Sequence, residues 1–213
     1  MKAGQTATKD GYQIALFPLD ILNCTQTSGP GQYSHCCGTA SDWVGSHARY
    51  PIYAPCDCVR IQQTSDNCAY RSSDRVWTPL GLGYIVFGFG HDNSPPAGTT
   101  FRQGQLIGHT GTAGHVTGDH KHITQATGQT YRLINSGITC GSGNTCYYLE
   151  NNQQIYDIFY ITGSETIINT RGMNFQKADA AGGGGGGGDD PVITDPTKFK
   201  WWMSIKQRRE RRQ

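Results

Sequence analysis

The sequence predicts a mainly β protein built on antiparallel strands, and three observations carry that prediction. Short apolar runs between residues 50 and 130 alternate with polar positions and are separated by glycine-rich turns. No stretch sustains a helical period. Only 16% of the 213 residues are charged, against about 25% in an ordinary globular chain. With 29 glycines and 11 tyrosines, the surface relies on Ser, Thr, Asn, Gln and Gly, which suits β-structure and polar loops. The length accommodates one compact domain with extensions and is short for two catalytic domains. No run of about 18 apolar residues is present, which excludes a membrane-spanning helix.

Taken in order, residues 1–30 hold one apolar stretch, IALFPLDIL, which reads as an entering strand. YPIYAP, CVRIQQ, GYIVFGFG, QLIGHTG and KHITQA follow as strands, each bounded by turn residues, so residues 1–130 read as the core. YYLE, IYDIFYI and TIINT are further strand candidates and make 131–178 a small β-rich extension. Seven consecutive glycines, Gly182 to Gly188, mark 179–197 as a flexible linker. Such a run loses much backbone entropy on ordering and has no side chains to compensate.

The remaining residues, 198–213, form a basic aromatic tail too short for a core of its own. Its seven Lys/Arg and one Glu give +6, whereas residues 1–197, with eleven Lys/Arg and 15 Asp/Glu, carry −4. Trp201, Trp202, Met203 and Ile205 beside those charges fit a membrane-surface contact. Docking onto an acidic structural protein, DNA phosphate contact and a solvated end are the other readings.

Eight cysteines occur, at Cys24, Cys36, Cys37, Cys56, Cys58, Cys68, Cys140 and Cys146, with no C-x-x-C pair among them. Adjacent Cys36 and Cys37 point in different directions and are poor joint ligands for one metal. Disulfides are expected if the chain works outside a cell, with Cys140–Cys146 placed to close a short hairpin. A zinc–thiolate site and plain buried thiols stay open as alternatives.

The chemistry is concentrated in the histidines. GDHKHI places His120 and His122 two residues apart, so in a strand both imidazoles face one cleft. Upstream, His35 and Asp42 flank a loop of small residues in SHCCGTASDWVG, and His91 ends an apolar strand in GFGHD. Imidazole is the commonest metal ligand, and several such groups beside glycine-rich turns point to a metal site.

These elements, in this order, resemble the LytM/lysostaphin-type zinc metallopeptidases that cut bacterial peptidoglycan. The resemblance spans roughly residues 28–128. PIYAP is similar to the family's strand phrase, GYIVFGFGHD to the strand ending in a catalytic histidine, and FRQGQLIGHTGTAGHVTGDHKHI to the closing stretch, with Gly104, Gly108 and Gly111 in place. The resemblance implies an antiparallel sheet with a groove, one Zn²⁺ per chain, and His35, Asp42 and His122 as its ligands. It implies His91 and His120 as catalytic histidines, His120 as general base and His91 as oxyanion stabiliser, with the roles exchangeable. Three protein ligands leave an open position, where zinc lowers the pKa of water to about 7.

Six residues separate His35 from Asp42, a wider spacing than the family's, which makes His47 and Asp119 the substitute ligands to examine. Asp119 is alternatively an orienting partner for an imidazole. His109 and His115 read as loop residues.

The implied activity is hydrolysis of peptide bonds in peptidoglycan. The opening residues carry no basic segment followed by an apolar run, so a route outside the secretion pathway is expected. A bacteriophage protein carried on the virion tail fits, with tail structural proteins as partners. The alternative is a non-catalytic tail-tip component with a degenerate peptidase fold.

Overall fold

The computed structural model describes residues 1–63, 67–92, 96–114 and 116–178. The linker 179–197, the tail 198–213 and His115 lie outside the described residues. In chain order the strands are β1 (Thr8–Lys9), β2 (Tyr12–Gln13), β3 (Ile21–Thr27), β4 (Ser41–Trp43), β5 (Pro51–Tyr53), β6 (Cys58–Gln63), β7 (Asn67–Ser72), β8 (Val76–Thr78) and β9 (Gly81–Gly83). They continue with β10 (Ile85–Gly90), β11 (Thr100–Phe101), β12 (Leu106–His109), β13 (Lys121–Thr127), β14 (Leu133–Thr139) and β15 (Thr145–Leu149). One helical turn, α1 (Ile155–Ile158), precedes β16 (Thr166–Asn169).

The architecture is mainly β and antiparallel, as the alternation predicts. Eight strands form the main sheet in the order β11-β6-β7-β10-β13-β4-β3-β16. Every pairing in it is antiparallel except the last, where β16 runs parallel to β3. Two-stranded ribbons β1-β2, β5-β12, β8-β9 and β14-β15 surround it.

At the centre lies β10, whose six residues IVFGFG are all buried. Successive side chains alternate between faces, so one face carries Ile85, Phe87 and Phe89 into the main core. There Tyr70 stacks on Phe87 at 5.3 Å, and Trp43 and Ile123 are fully buried. The opposite face carries Val86, Gly88 and Gly90. Val86 packs with Ala126 and with Leu149 of β15. A Cβ on Gly88 would lie 2.4 Å from the Tyr131 hydroxyl, and one on Gly90 would lie 3.0 Å from His122 Cβ. The two glycines thus let this face be approached closely, and the site lies there.

Three local expectations are corrected. IALFPLDIL is not one continuous strand. Ile14 and Leu16 make isolated bridges to Trp77 and Tyr160, Pro18 interrupts the run, and the regular strand begins at Ile21. IYDIFYI opens as a helical turn, because Ile155 and Ile158 are both buried at i, i+3 spacing. Cys140 and Cys146 do not pair with each other. The β14-β15 turn sets Cys140 against Asn144, and the disulfides are Cys36–Cys140 and Cys37–Cys146. Adjacent Cys36 and Cys37 thus take separate partners, while Cys24, Cys56, Cys58 and Cys68 are free and buried.

Residues 131–178 are joined to the rest through the same sheet and core. β16 lies beside β3, Phe159 is fully buried in the main core, and Leu149 covers Val86.

Candidate active site

Strand register builds the floor of the site. His122 of β13 and Asp42 of β4 are cross-strand partners, so both side chains leave the same face as neighbours. His122 Nδ1 lies 3.0 Å from Asp42 Oδ1. The residues on either side of His122 confirm the alternation: Lys121 and Ile123 are buried on the core side, where Lys121 partners Trp43. Burial drives the Lys121 amine down to about 8, although Asp92 opposes the shift.

His120 precedes β13 by one residue and is held by paired hydrogen bonds with Gly111, at 3.0 and 3.1 Å. His91 follows β10 directly, in the left-handed region at φ 69°. His35 comes from the loop between β3 and β4. The structure therefore brings His35, Asp42, His91, His120 and His122 to one place. Ring centroids are 4.6 Å apart for His35–His122, 4.5 Å for His91–His120 and 5.9 Å for His91–His122. Asp42 Oδ2 lies 3.6 Å from His35 Nε2 and 3.7 Å from His120 Nε2.

Two imidazoles are oriented by backbone carbonyls. His91 Nδ1 lies 2.8 Å from the carbonyl of Ala113, and His120 Nδ1 lies 2.8 Å from that of Gly118. A carbonyl only accepts, so each Nδ1 carries a proton and Nε2 is the ring nitrogen left free of the backbone.

Burial, aided by neighbouring His122, depresses the His35 imidazole to about 4 despite the proximity of Asp42. Burial likewise lowers His91, against the opposing hydrogen bond to Ala113. Burial acts to raise the Asp42 carboxyl, but the hydrogen bond from His122 and the surrounding imidazoles outweigh it and hold the group below its ordinary value. At neutral pH the centre pairs an anionic carboxylate with a neutral His35.

His35, Asp42 and His122 each offer one ligand atom, and these atoms all lie within 4.8 Å of one another, a set that could hold a metal ion. Two further observations fit a cation. His35 Nδ1 is buried with no hydrogen-bond partner, and both carboxylate oxygens of Asp42 face imidazole nitrogens.

The other sequence candidates take different roles. His47 is exposed, its Nδ1 near the carbonyl of Ala48. Asp119 accepts from the Thr110 hydroxyl and the Arg49 N–H, so it braces the 110–120 loop rather than orienting an imidazole. The backbone N–H of His109 donates to Asp92 Oδ2 at 2.7 Å.

Sequence reasoning missed the Ala113 and Gly118 carbonyls and the brace from Asp92, because backbone acceptors and loop register carry no residue-type signal. It also missed a cavity of about 570 Å³ beside His91, bordered by Arg49, Asp92, Gly111, Ala113 and Asp119.

No family model matches the chain. Over 175 residues it is 33% identical to Morphogenesis protein 1 of Bacillus phage B103, a match covering 79% of this chain and 46% of that protein. The chain thus spans about half the length of that curated relative. Among solved structures it is similar to a zinc-containing peptidase from Vibrio cholerae, with a TM-score of 0.39 and 16% identity over 57% of this chain and 42% of that one. It is also similar to the catalytic domain of the antimicrobial peptidase lysostaphin from Staphylococcus simulans, with a TM-score of 0.34 and 18% identity over 57% of this chain and 82% of that one.

Proposed function

We propose that this chain is a zinc-dependent endopeptidase that hydrolyses peptide bonds of bacterial peptidoglycan and is carried on a phage tail to breach the cell wall. One observation carries the reading: His35, Asp42 and His122 converge on the open face of the sheet while the Nε2 atoms of His91 and His120 remain uncommitted to backbone beside them. The motif order PIYAP, GFGHD and GDHKHI supports the wall substrate. The name of the phage relative supports the virion setting. Two disulfides suit work outside a reducing cytoplasm.

His35, Asp42 and His122 would hold the zinc. Bound there, it would supply Lewis-acid activation of a water and polarisation of the scissile carbonyl. His120 would accept a proton at Nε2 from the attacking water, and Asp42, 3.7 Å away, would stabilise the imidazolium formed. The same Nε2 then returns the proton to the leaving amine. His91, kept neutral at rest by burial, would take a proton at Nε2 from solvent reaching it through the adjoining cavity, donate it in a hydrogen bond to the oxyanion, and release it to solvent when the oxyanion collapses. The cavity beside His91 receives the peptide on that side.

A structural tail component without turnover is the second reading, favoured by the relative's designation as a morphogenesis protein. Zinc content measured together with turbidity loss of purified cell walls separates the two. One zinc per chain, with lysis abolished in His120→Ala while zinc is retained, is the expected result. Zinc without lysis on several wall types would select the structural reading, and no zinc would refute the ligand assignment.

A further inference from the structure

We propose that the disulfides Cys36–Cys140 and Cys37–Cys146 are positioning groups for the metal centre, holding His35 in place so that the oxidised chain binds zinc far more tightly than the reduced one. The proposal rests on the zinc reading above and adds a dependence on redox state to it.

The three candidate ligands are not held equally. His122 and Asp42 sit in adjacent strands, fixed by the β13-β4 ladder. His35 lies in residues 28–40, a segment with no strand or helix. Its side chain makes no hydrogen bond: Nδ1 is buried without a partner and Nε2 is 3.6 Å from Asp42. The loop's internal bonds are few, among them Gly29 N–H to the His35 carbonyl at 2.8 Å and Ser28 N–H to the Ala40 carbonyl at 3.0 Å. Ordering such a segment costs about 1–2 kcal/mol of backbone entropy per residue. Something beyond the ladder must hold the ring.

Gln26 Nε2 donates to the Ser34 hydroxyl and Gln125 Nε2 to the Thr39 carbonyl, both at 3.0 Å, and the covalent hold comes from the residue next to His35. Cys36 is bonded to Cys140 and Cys37 to Cys146, across sequence separations of 104 and 109 residues. Both partners belong to the β14-β15 hairpin and its turn, which also binds the loop through the Ser142 N–H to the Tyr33 carbonyl at 2.8 Å. Gly38, at φ 74°, lies so close to this hairpin that a Cβ there would be 2.7 Å from Tyr148 Cβ. The hairpin in turn is seated on the sheet through Leu149 against Val86 and Ala126. Sheet, hairpin, disulfides and His35 form one chain of support, and the two disulfides are its covalent links.

Reduction by a water-soluble trialkylphosphine cuts those links. The phosphine passes two electrons to each disulfide, water supplies the oxygen of the phosphine oxide and the two protons, and two thiols result. The bridge adjacent to His35 is then gone while the β13-β4 ladder is untouched.

The test measures zinc affinity of the full chain by competition with a chromophoric chelator. The samples are the oxidised wild type, the phosphine-reduced wild type, and the variant with Cys36, Cys37, Cys140 and Cys146 all changed to Ser, which removes thiols able to bind zinc themselves. Each is then repeated with His35→Ala, and near-UV circular dichroism reports folding. Affinity is expected to fall by roughly tenfold to a hundredfold on losing both bridges, the range seen when groups supporting a metal ligand are removed. In the His35→Ala background the same changes are expected to have no further effect, since the position they secure is already empty.

Equal affinity with and without the bridges would overturn the proposal. So would an undiminished loss in the His35→Ala background, which would mean that the bridges support the whole fold rather than this ligand. If the fourfold variant does not fold, Cys37→Ser with Cys146→Ser keeps the bridge beside His35 and is expected to retain more affinity than Cys36→Ser with Cys140→Ser; the reverse order would overturn the proposal. No zinc in the oxidised wild type would overturn this proposal and the metal reading together, whereas redox-independent zinc binding would overturn this one alone.

Discussion

Asp42 faces three imidazoles at once in a largely buried centre. His35 carries the largest consequence. Its ordinary value of 6.5 is depressed to about 4 in the folded chain, chiefly by burial. In the unfolded chain the ring gains a proton as pH falls below 6.5, while in the folded chain it stays neutral until about 4. Folding stability of the metal-free protein is therefore intact above that window and lost as pH falls through it, by at most about 3 kcal/mol from this residue. The lowered His91 acts with the same sign. Asp42, depressed below its ordinary 3.8, contributes stability that is lost only at still lower pH. Urea unfolding of the chelated protein at pH 7 and pH 4.5 should show a lower midpoint at pH 4.5, and His35→Asn should reduce the difference. An identical difference in that variant would show that His35 is not the group responsible.

At the scale of elements, the strands that lead to His91 and carry His122 were legible, whereas β4, which carries Asp42, was not among the expected strands. CVRIQQ corresponds to β6 residue for residue, and GYIVFGFG and KHITQA contain β10 and most of β13, because alternation and glycine turns are local properties. The H-x-H spacing correctly places His120 and His122 on one side, with Lys121 turned to the core between them. Connections were less legible. Nothing in GHTGTAGHVTG announces that Gly111 must pair with His120, or that its Cα approaches the preceding strand's end so closely that a Cβ would fall 1.8 Å from the His91 carbonyl oxygen. That contact is to backbone, so a side chain there has no soft neighbour to displace. Gly111→Ala is expected to move His91 relative to His120 while leaving the β13-β4 ladder in place. Wall hydrolysis should fall by about a hundredfold, the scale of a displacement near 1 Å, with zinc content unchanged. Loss of zinc in Gly111→Ala would mean that the loop supports the ligands as well.

Across the whole molecule, the contacts that assemble the site are long-range, and this is where sequence reading stopped. Residues 35, 42 and 122 meet only after β4 pairs with β13, and the pairing of Cys36 and Cys37 with a hairpin more than 100 residues away leaves no trace in local pattern. The same dispersion makes a testable link between metal and fold. An unfolded chain cannot bring these three ligands together, so zinc binds the native state in preference and stabilises it. At a free zinc concentration about 100 times the dissociation constant the gain is about 2.7 kcal/mol. For a chain of this length each kcal/mol moves the melting temperature by about 2–4 °C, so a chelator should lower the Tm of the zinc-loaded protein by roughly 5–11 °C. His120→Ala, which keeps the three ligands, should retain that shift, and His122→Ala should lose it. Calorimetry of the three proteins with and without chelator decides the point, since a full shift in His122→Ala would place the stabilising metal somewhere other than this centre.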